Sequence, residues 1–446
     1  MSRHRRQCSS ARRARAPCAP LLSSPRMAAE VPRQGGAPAA SHPSTQDFHL
    51  LLWLLIGVGL VGRVLLAFTT SGQRFDLQSY AVVNSALHAH VFGVYHQLDN
   101  YSVAPYGRWP YPPGFFAAIV PLASFAHATG LSFTSLIRLP AAVSDCAIAW
   151  LVQDFLWRHG RAETTRLLAV ALIALGPSFA AISGFHGQID SVAMLPAVAA
   201  VWLWDRTDAD WRPYAAGVLI GAGTAIKTVP VLTLIALVPA ARSPREAVKL
   251  VAVAVGLPAL AFAPWLIFDG PGKGLPLRYR GGPGLGGLSL LTAPGLPKAA
   301  FGVAHEAVHG LTKTVYDAAR FITGAALLAV AAVVLRYRPR PVDAAVLVWL
   351  AVWAFGVTFF LQYLVWGLPF LIMAGYLREA LALQALVLPA TVVTYATGLH
   401  AWHVWLFYTF PMITLWVASV AGIVVVVRRL ARSARTSVVT PAAAMA

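Results

Sequence analysis

Long apolar runs, separated by short polar or basic segments, recur along the whole sequence. A helix that crosses the hydrocarbon core of a bilayer needs about 20 mostly apolar residues, so these runs predict membrane-spanning helices. The predicted spans cover approximately residues 48–69, 136–157, 166–183, 189–204, 213–226, 228–241, 247–267, 317–335, 342–359, 362–377, 381–398 and 404–427. The pattern therefore predicts an all-α, polytopic membrane protein with about 12 transmembrane helices.

One further apolar run, residues 115–128, is predicted not to cross the membrane. It has about 14 residues, fewer than a span needs. As a full span it would also place the basic segment 157–161 (WRHGR) outside, whereas basic loops normally stay in the cytoplasm. The run is therefore predicted to be a re-entrant or interfacial helix within one long extracytoplasmic loop, residues 70–135. Both termini are then cytoplasmic.

A second irregularity is the pair of short runs on either side of Lys227-Thr228-Val229-Pro230. Spans of about 14 residues have to be kinked or shielded by neighbouring helices. One long tilted helix is the alternative, but it would reverse the side of every later loop. The broken pair is the interpretation that keeps the basic loops inside.

Composition agrees with a membrane protein, because 58% of the 446 residues are hydrophobic and 12% are charged. The net charge of +18 comes from arginines in short loops and in the two tails, so it indicates topology and predicts no nucleic-acid partner. Residues 1–47, with Met27 as an alternative start, are predicted to be a disordered basic cytoplasmic tail. Residues 48–428 form the predicted transmembrane domain, and residues 429–446 a second cytoplasmic tail.

Polar residues from separate segments are predicted to converge on the external face. They are Asp76, the stretch 184–191, Lys227, the glycine-rich loop 270–287, Gln362 with Tyr363, and His400 with His403. Convergence on one side is typical of an active site at the membrane surface, whereas a transporter places its charges near the midplane. The pattern favours an outward-facing enzyme. The two histidines at 400 and 403 are too few for a metal site and stay outside the predicted site.

The order of the motifs resembles a known group of enzymes. Asp76 follows the first span, a YPP turn comes next, then Gln188 and Asp190 at a helix start, then Lys227, and finally QYLVW near another helix start. This order is similar to that of the GT-C superfamily of glycosyltransferases. It is most like the bacterial polyprenyl-phosphate-mannose-dependent mannosyltransferases of glycosyltransferase family 87, which are related to the endoplasmic-reticulum enzymes that use dolichyl-phosphate sugars. The likeness covers roughly residues 48–428.

The resemblance implies a GT-C-like bundle and an inverting glycosyltransferase. Such an enzyme moves a sugar, mannose or another, from a polyprenyl-phosphate donor to a hydroxyl of a lipid-linked or cell-envelope acceptor, at the extracytoplasmic face of the plasma membrane. No cofactor is expected. Asp76 matches the catalytic base, which takes the proton of the acceptor hydroxyl. The alternative is that Asp76 caps the helix that starts near Leu77.

The resemblance also implies substrate-binding residues in the stretch 184–191. His186, Gln188 and Asp190 have i, i+2, i+4 spacing, which places His186 and Asp190 on one helical face toward Asp76. Asp190 has three alternative roles: it caps its helix, acts as a second base, or holds a metal with His186. Relatives that use lipid monophosphates generally work without a metal, so none is expected.

The departing phosphate requires cations or backbone donors, and the candidates are Lys227, Arg278 and Arg280. The alternative for Lys227 is a structural lysine that snorkels to the interface. For the two arginines it is a solvated loop or a contact with lipid headgroups.

Aromatic residues near these motifs allow two interpretations. Gln362, Tyr363 and Trp366, together with Trp109 and Tyr111, either contact the substrate, with the rings stacking on a sugar, or form an aromatic belt at the interface.

Arg138 lies near the outer end of a predicted span and is followed by Asp145. The two are predicted to form an intramembrane ion pair, or Arg138 to contact lipid headgroups.

Two other classes of protein remain as alternatives, a secondary transporter or lipid-linked-sugar flippase and a non-catalytic membrane scaffold. The sequence has no clear internal repeat and few charges deep in the spans, which disfavours transport. It also lacks a P-loop, a GxSxG motif and an HExxH motif. Loss of sugar transfer in Asp76→Asn would separate an enzyme from both alternatives.

Overall fold

The computed structural model describes residues 45–99, 109–269, 287–288, 313–357, 359–396 and 405–439. Within these ranges the chain forms helices and no strands, which confirms the all-α prediction. The α-helices are α1 (Thr45–Thr69), α2 (Arg74–Ala89), α3 (Val94–Asp99), α4 (Phe116–Thr129), α5 (Phe133–Leu136), α6 (Leu139–Arg158), α7 (Glu163–Ala174), α8 (Pro177–Phe179), α9 (Asp190–Arg206), α10 (Arg212–Ile226), α11 (Leu234–Leu237), α12 (Pro244–Phe268), α13 (Ala319–Tyr337), α14 (Pro341–Phe355), α15 (Leu364–Met373), α16 (Leu377–Ala396) and α17 (Phe410–Val439).

Several short turns extend these helices. The 3-10 turns are Val91–Gly93, Pro113–Phe115, Val229–Thr233, Val238–Ala240 and Leu361–Tyr363. The π-helical segments are Ala180–His186 and Trp405–Thr409.

Seven helical stretches in the described part of the chain are long and apolar enough to cross a membrane. They are Gln46–Thr69, Phe133–Arg158, Glu163–His186, Pro244–Phe268, Ala319–Tyr337, Leu377–Ala396 and Phe407–Ser433. The chain is therefore a polytopic membrane protein. Every predicted span overlaps a helical segment, and the total of about 12 crossings stays a prediction.

The main core surrounds α14, in which nearly every side chain is buried. Its tryptophans Trp349 and Trp353 pack against α15, which is also buried along its whole length. Gly367 on α15 has no room for a Cβ, because that atom would collide with the indole of Trp353 and with the Cβ of Trp349. This close approach explains why a short apolar helix of 10 residues is stable here, since α15 is shielded on all sides by protein.

The helix break predicted at Lys227 is confirmed. Helix α10 ends at Ile226, and Lys227 has an extended backbone with φ −149° and ψ 136°. A 3-10 turn containing Pro230 follows and leads into α11. Proline lacks an N–H, so Pro230 cannot donate to the carbonyl of Ile226, and in a continuous helix its ring would collide with that carbonyl. The sequence itself therefore stops α10 at this point.

The described residues of segment 70–135 pack into a second, smaller core, to which Ile137, Ile189 and Phe262 of the bundle also contribute. Helix α4 covers 14 residues and coincides with the predicted interfacial run 115–128. Asp269, at the end of α12, accepts the backbone N–H groups of Tyr95 and His96 at 2.8 Å each, so this segment is tied to the bundle. Burial raises the pKa of Asp269 above its ordinary value of 3.8, although the two backbone donors act against the rise.

The two ends of the bundle differ in chemistry. At the basic end, defined by the ends of α6, α9 and α12 farthest from segment 70–135, arginines pair with acids. The pairs are Arg158–Asp154 at 2.7 Å, Arg212–Glu246 at 2.6 Å and Arg340–Asp343 at 2.8 Å. The opposite end, which we call the first-loop end, carries segment 70–135.

A buried ion pair joins three helices in the interior. Arg63 of α1 donates through Nε to Asp145 of α6 at 2.8 Å, and the two side chains are 1% and 0% exposed. The other guanidinium nitrogens donate to the main-chain carbonyls of Gly59, Ala174 and Ile173. The pair links α1 to α6 and α7.

The predicted pairing of Arg138 with Asp145 is wrong. The two residues lie about two helical turns apart on adjoining helical stretches, and Asp145 is paired with Arg63 instead. Arg138 is buried and donates to the carbonyls of Thr134 and Thr70, both at 2.9 Å, so it does not contact headgroups either. It holds together the two ends of segment 70–135.

Candidate functional site

Asp76 lies in the first turn of α2 at the first-loop end. Its Oδ2 atom is 2.5 Å from Nε2 of His186, and its side chain is 24% exposed whereas that of His186 is 6% exposed. Helix α2 starts at Arg74 with Gln73 in the N-cap position, so Asp76 is inside the helix and the capping alternative is wrong. The carboxylate is therefore accessible on one side and held by a buried imidazole on the other.

His186 is the last residue of the π-helical segment Ala180–His186. Its Nδ1 atom is 2.6 Å from the hydroxyl of Tyr395, near the end of α16. An ionised carboxylate can only accept, so Nε2 donates to Asp76, and Nδ1 of a neutral imidazole then accepts from the Tyr395 O–H. The result is a hydrogen-bonded chain from α16 through His186 to α2.

The backbone turns sharply after His186. Gly187 has φ +85°, in the left-handed region that favours glycine, and its carbonyl accepts the hydroxyl of Tyr80 at 2.8 Å. A Cβ at Gly187 would collide with Leu77. Because α9 begins only at Asp190, His186 and Asp190 do not share one helical face, and that prediction is wrong. They belong to two different hydrogen-bonded groups.

Asp190 forms the second group with Lys227 and Trp366. Its Oδ1 atom accepts Nζ of Lys227 at 2.7 Å and also accepts Nε1 of Trp366. Asp190 is the first residue of α9 and Ile189 occupies the N-cap, so the capping alternative is wrong here too. The second oxygen, Oδ2, has no hydrogen-bond partner among the residues that the structure describes.

Lys227 does not snorkel. Its side chain is 6% exposed, and its ammonium group lies 4.8 Å from the ring centre of Tyr111 and 5.2 Å from that of Trp366. Aromatic faces attract cations, most strongly where water is excluded. The helix break thus delivers a buried cation to the first-loop end, between two rings and one carboxylate.

The aromatic residues of the site are packed rather than spread along a belt. Tyr363 stacks on Trp366 with ring centres 3.8 Å apart. Trp109 is 1% exposed and meets Tyr111 edge to face at 5.2 Å. For the two tryptophans the belt alternative is therefore wrong, because both are buried.

Tyr80 connects the two groups electrostatically. Burial raises its pKa well above the ordinary value of 10.0, and the charges of Asp76 and Asp190 raise it further. Tyr80 therefore stays neutral and acts as a hydrogen-bond donor. Both carboxylates are close enough to influence it, which places the two groups in one region of the molecule.

Residues 109–359, more than half of the chain, match the model of glycosyltransferase family 87. The chain belongs to glycosyltransferase family 87. The comparison with curated proteins found no match. The family 87 match includes Tyr111, His186, Gln188, Asp190 and Lys227, whereas Asp76 and Tyr395 lie outside it. The protein is thus a membrane glycosyltransferase, which has a sugar donor and an acceptor.

The other predicted residues of the glycosyltransferase contribute less to this geometry. Gln188 is buried, and its Oε1 atom has no hydrogen-bond partner in the described ranges. Gln362 lies in the turn next to Tyr363 and is half-buried. The predicted residues Arg278, Arg280, His400 and His403 lie outside the described residues.

In the described ranges, the residues around Asp190 and His186 do not form a set of ligands for a metal ion. No group of three or more histidine, cysteine, aspartate or glutamate residues that could hold an ion occurs there. His186 faces Asp76, and Asp190 faces Lys227. The two candidate ligands therefore point into different hydrogen-bonded groups of this family 87 enzyme.

Tyr395 is the main residue that the sequence did not predict. It lies near the end of an apolar helix, where a tyrosine is ordinarily an interface residue. Only the fold brings its hydroxyl to His186, 209 positions earlier in the chain. No local pattern carries that information.

Proposed function

We propose that the protein is an inverting glycosyltransferase that moves a sugar, mannose in the first instance, from a polyprenyl-phosphate donor to a hydroxyl of a lipid-linked or cell-envelope acceptor. Asp76 acts as the catalytic base. The observation that carries this proposal is the contact of 2.5 Å between a partly exposed Asp76 and a buried His186. Family membership supports glycosyl transfer over the transporter and scaffold alternatives.

The chemistry needs one base. A carboxylate oxygen of Asp76 takes the proton of the acceptor hydroxyl while the acceptor oxygen forms a bond to the anomeric carbon. The bond from that carbon to the phosphate oxygen breaks on the opposite side, and the lipid phosphate leaves with the electron pair. Configuration at the anomeric carbon is thereby inverted. The hydrogen bond from His186 fixes the orientation of the carboxylate during this step.

The leaving phosphate gains negative charge, which a nearby cation would stabilise. Of the three predicted cations, Lys227 is the one that lies within the described residues. Asp190 holds it between the rings of Tyr111 and Trp366. We assign it to the donor phosphate or to the sugar next to it, with Arg278 and Arg280 as the further predicted cations. Tyr111, Tyr363 and Gln362 are assigned to the sugar.

The proposed side of the membrane is extracytoplasmic. Its support is the arginine-rich opposite end of the bundle, since basic segments are retained in the cytoplasm. With that end inside, Asp76, His186, Asp190 and Lys227 face outward. An outward site meets lipid-linked donors and not cytosolic nucleotide sugars.

The decisive experiment compares Asp76→Asn with Asp210→Asn, a control at an exposed position at the basic end. Each purified variant is reconstituted in vesicles with radiolabelled polyprenyl-phosphate mannose and membrane lipid extract. We expect the transfer rate of Asp76→Asn to be about 10²- to 10⁴-fold lower than that of the wild type, which is the usual contribution of a general base. Its thermal unfolding in detergent should match that of the control. Full transfer by Asp76→Asn would overturn the proposed mechanism.

Sidedness has its own test. In a background without the native cysteines, Arg74→Cys and Arg161→Cys place single thiols at exposed positions at opposite ends of the bundle. A membrane-impermeant maleimide applied to intact cells should label position 74 and leave position 161 unlabelled. The reverse pattern would place the site in the cytoplasm.

A further inference from the structure

A long apolar groove lies between α14, α16 and α17, away from the candidate site. It has a volume of about 530 Å³ and is lined by side chains such as Leu350, Leu383, Leu386, Ala418 and Val425. Helices α16 and α17 both contain membrane-crossing stretches. The groove is therefore within the hydrocarbon region, where its occupant has to be apolar along most of its length.

Small residues leave the groove open. Ala382 on α16 and Ala418, Ala421 and Gly422 on α17 contribute to its lining. A Cβ on Gly422 would lie 3.2 Å from a methyl group of Leu350, closer than ordinary van der Waals contact, so glycine leaves room for the Leu350 side chain. Larger residues at these positions would close the space between the helices, as ridge-and-groove packing does elsewhere in the bundle.

The groove ends at a cationic site. Along α17 its lining residues Ala418, Gly422 and Val425 recur at helical spacing, and Arg429 continues the same row at four residues beyond Val425. Arg429 donates to the hydroxyl of Tyr376 at 2.9 Å, and Tyr376 itself lines the groove. The row therefore changes from apolar to basic near the end of the membrane-crossing stretch Phe407–Ser433.

The charges at this end favour an anion. Arg378 of α16 and Arg429 of α17 are exposed here, on two of the helices that line the groove, and Glu379 in the groove lining is the acid closest to Arg378 in sequence. Arg340 and Asp343 also face Tyr376, but they are paired with each other. Basic pockets between transmembrane helices on the cytoplasmic side bind anionic lipid headgroups.

We propose that this groove binds an anionic phospholipid. One acyl chain lies along α17 between Leu350 and Leu386, and the phosphate contacts the guanidinium of Arg429. Charge complementarity at one end and an apolar lining over the rest of the groove select this ligand over a zwitterionic lipid. The lipid site is at the basic end of the bundle and is separate from the sugar-transfer site at the first-loop end.

The test uses the purified full chain in nanodiscs that contain equal amounts of phosphatidylglycerol and phosphatidylcholine with identical acyl chains. Native mass spectrometry after release reports which lipid stays bound. We expect the wild-type protein to retain more phosphatidylglycerol than phosphatidylcholine. In Arg429→Gln this enrichment should be about fivefold lower. Arg428→Gln, one position away on a different helical face, is the matched control and should keep the enrichment.

A second pair of variants tests the apolar part of the groove. Ala418→Phe fills the space and should abolish retention of both lipids, whereas Val417→Phe changes an exposed neighbour outside the lining and should not. Equal enrichment in Arg429→Gln and Arg428→Gln would overturn the proposal. Displacement of the bound lipid by polyprenyl phosphate would also overturn it and would assign the groove to the donor. If the wild type were a dimer and Ala418→Phe a monomer, the groove would instead bind a second copy of the chain.

Discussion

Two buried ion pairs in the same bundle differ in how their cations are used. The guanidinium of Arg63 donates to Asp145, Ser183 and three main-chain carbonyls, so all of its nitrogens are engaged by the protein. The ammonium of Lys227 makes one hydrogen bond in the described part of the chain, to Asp190, and otherwise faces two aromatic rings.

The difference separates a structural cross-link from a binding group. The donors of Arg63 point to a carboxylate of α6 and to carbonyls of α7 and of its own helix α1, so the pair holds these three helices together. Lys227 keeps donors available next to rings that suit a sugar or a cation. The comparison teaches that buried charge in a membrane protein marks a candidate ligand site when part of its hydrogen-bonding capacity is left unused.

The largest expected effect is on the structural pair. Asp145→Asn leaves Arg63 charged and buried without a counter-ion, because a guanidinium cannot lose its proton. We expect a loss of about 3 to 5 kcal/mol of stability, measured by thermal or denaturant unfolding in detergent. Adding Arg63→Gln in the same chain should restore most of the loss. A stable Asp145→Asn protein would show that the pair is not a structural cross-link.

Asp190→Asn is the corresponding change at the second pair, and its effect should fall on transfer. The amide oxygen still accepts from Lys227 and Trp366, and a lysine can lose its proton when its counter-ion is removed, which limits the loss of stability. We expect transfer to fall by about ten- to a hundredfold, because a neutral Lys227 would no longer make a charged hydrogen bond to the leaving phosphate. A loss of stability as large as that of Asp145→Asn would remove the distinction between the pairs.

Tyr395→Phe tests whether the hydrogen bonds from Tyr395 through His186 to Asp76 act together in sugar transfer. Removing the hydroxyl takes away the partner of Nδ1 of His186, so the imidazole is held less firmly against Asp76. We expect kcat to fall by up to about tenfold, with little change in KM. Tyr376→Phe, which also loses a hydrogen-bonded hydroxyl but at the basic end, is the control and should transfer normally.

The smallest expected effect is that of a chelator. Treatment with EDTA should leave the transfer rate unchanged, because Asp76 and Asp190 are already engaged by His186 and Lys227. The assay is the vesicle transfer reaction with and without chelator. Loss of transfer on chelation, with recovery on adding one divalent cation, would give Asp190 a metal-binding role and make the second pair a different kind of site.

The sequence predicted the helical layout well because bilayer thickness and proline impose local rules. Each predicted span overlaps a helix, and the break at Lys227 follows from Pro230, which acts through backbone geometry alone. The sequence also placed Asp76 and the stretch containing His186 on the same side of the membrane, and the contact between them agrees with that placement. This prediction rested on the sides assigned to the loops.

What the sequence did not predict depends on backbone irregularity and on contacts between distant helices. The π-helical turn and Gly187 shift the register between His186 and Asp190, so regular spacing led to the wrong face. The Arg63–Asp145 pair had a usable signal, one charge of each sign inside two predicted spans. To identify this pair, charges in distant spans have to be compared. Arg138 was chosen as the partner of Asp145 because it is nearer in sequence.

The contacts of Arg138 have a consequence for how this enzyme can diversify. One guanidinium fastens both the entry and the exit of segment 70–135, through Thr70 and Thr134. Lengthening a flexible loop between fixed ends is inexpensive, about 0.6 kcal/mol for each doubling. The part of the segment between these fixed ends can therefore change in length at little cost in stability, while the helices beneath it keep their positions.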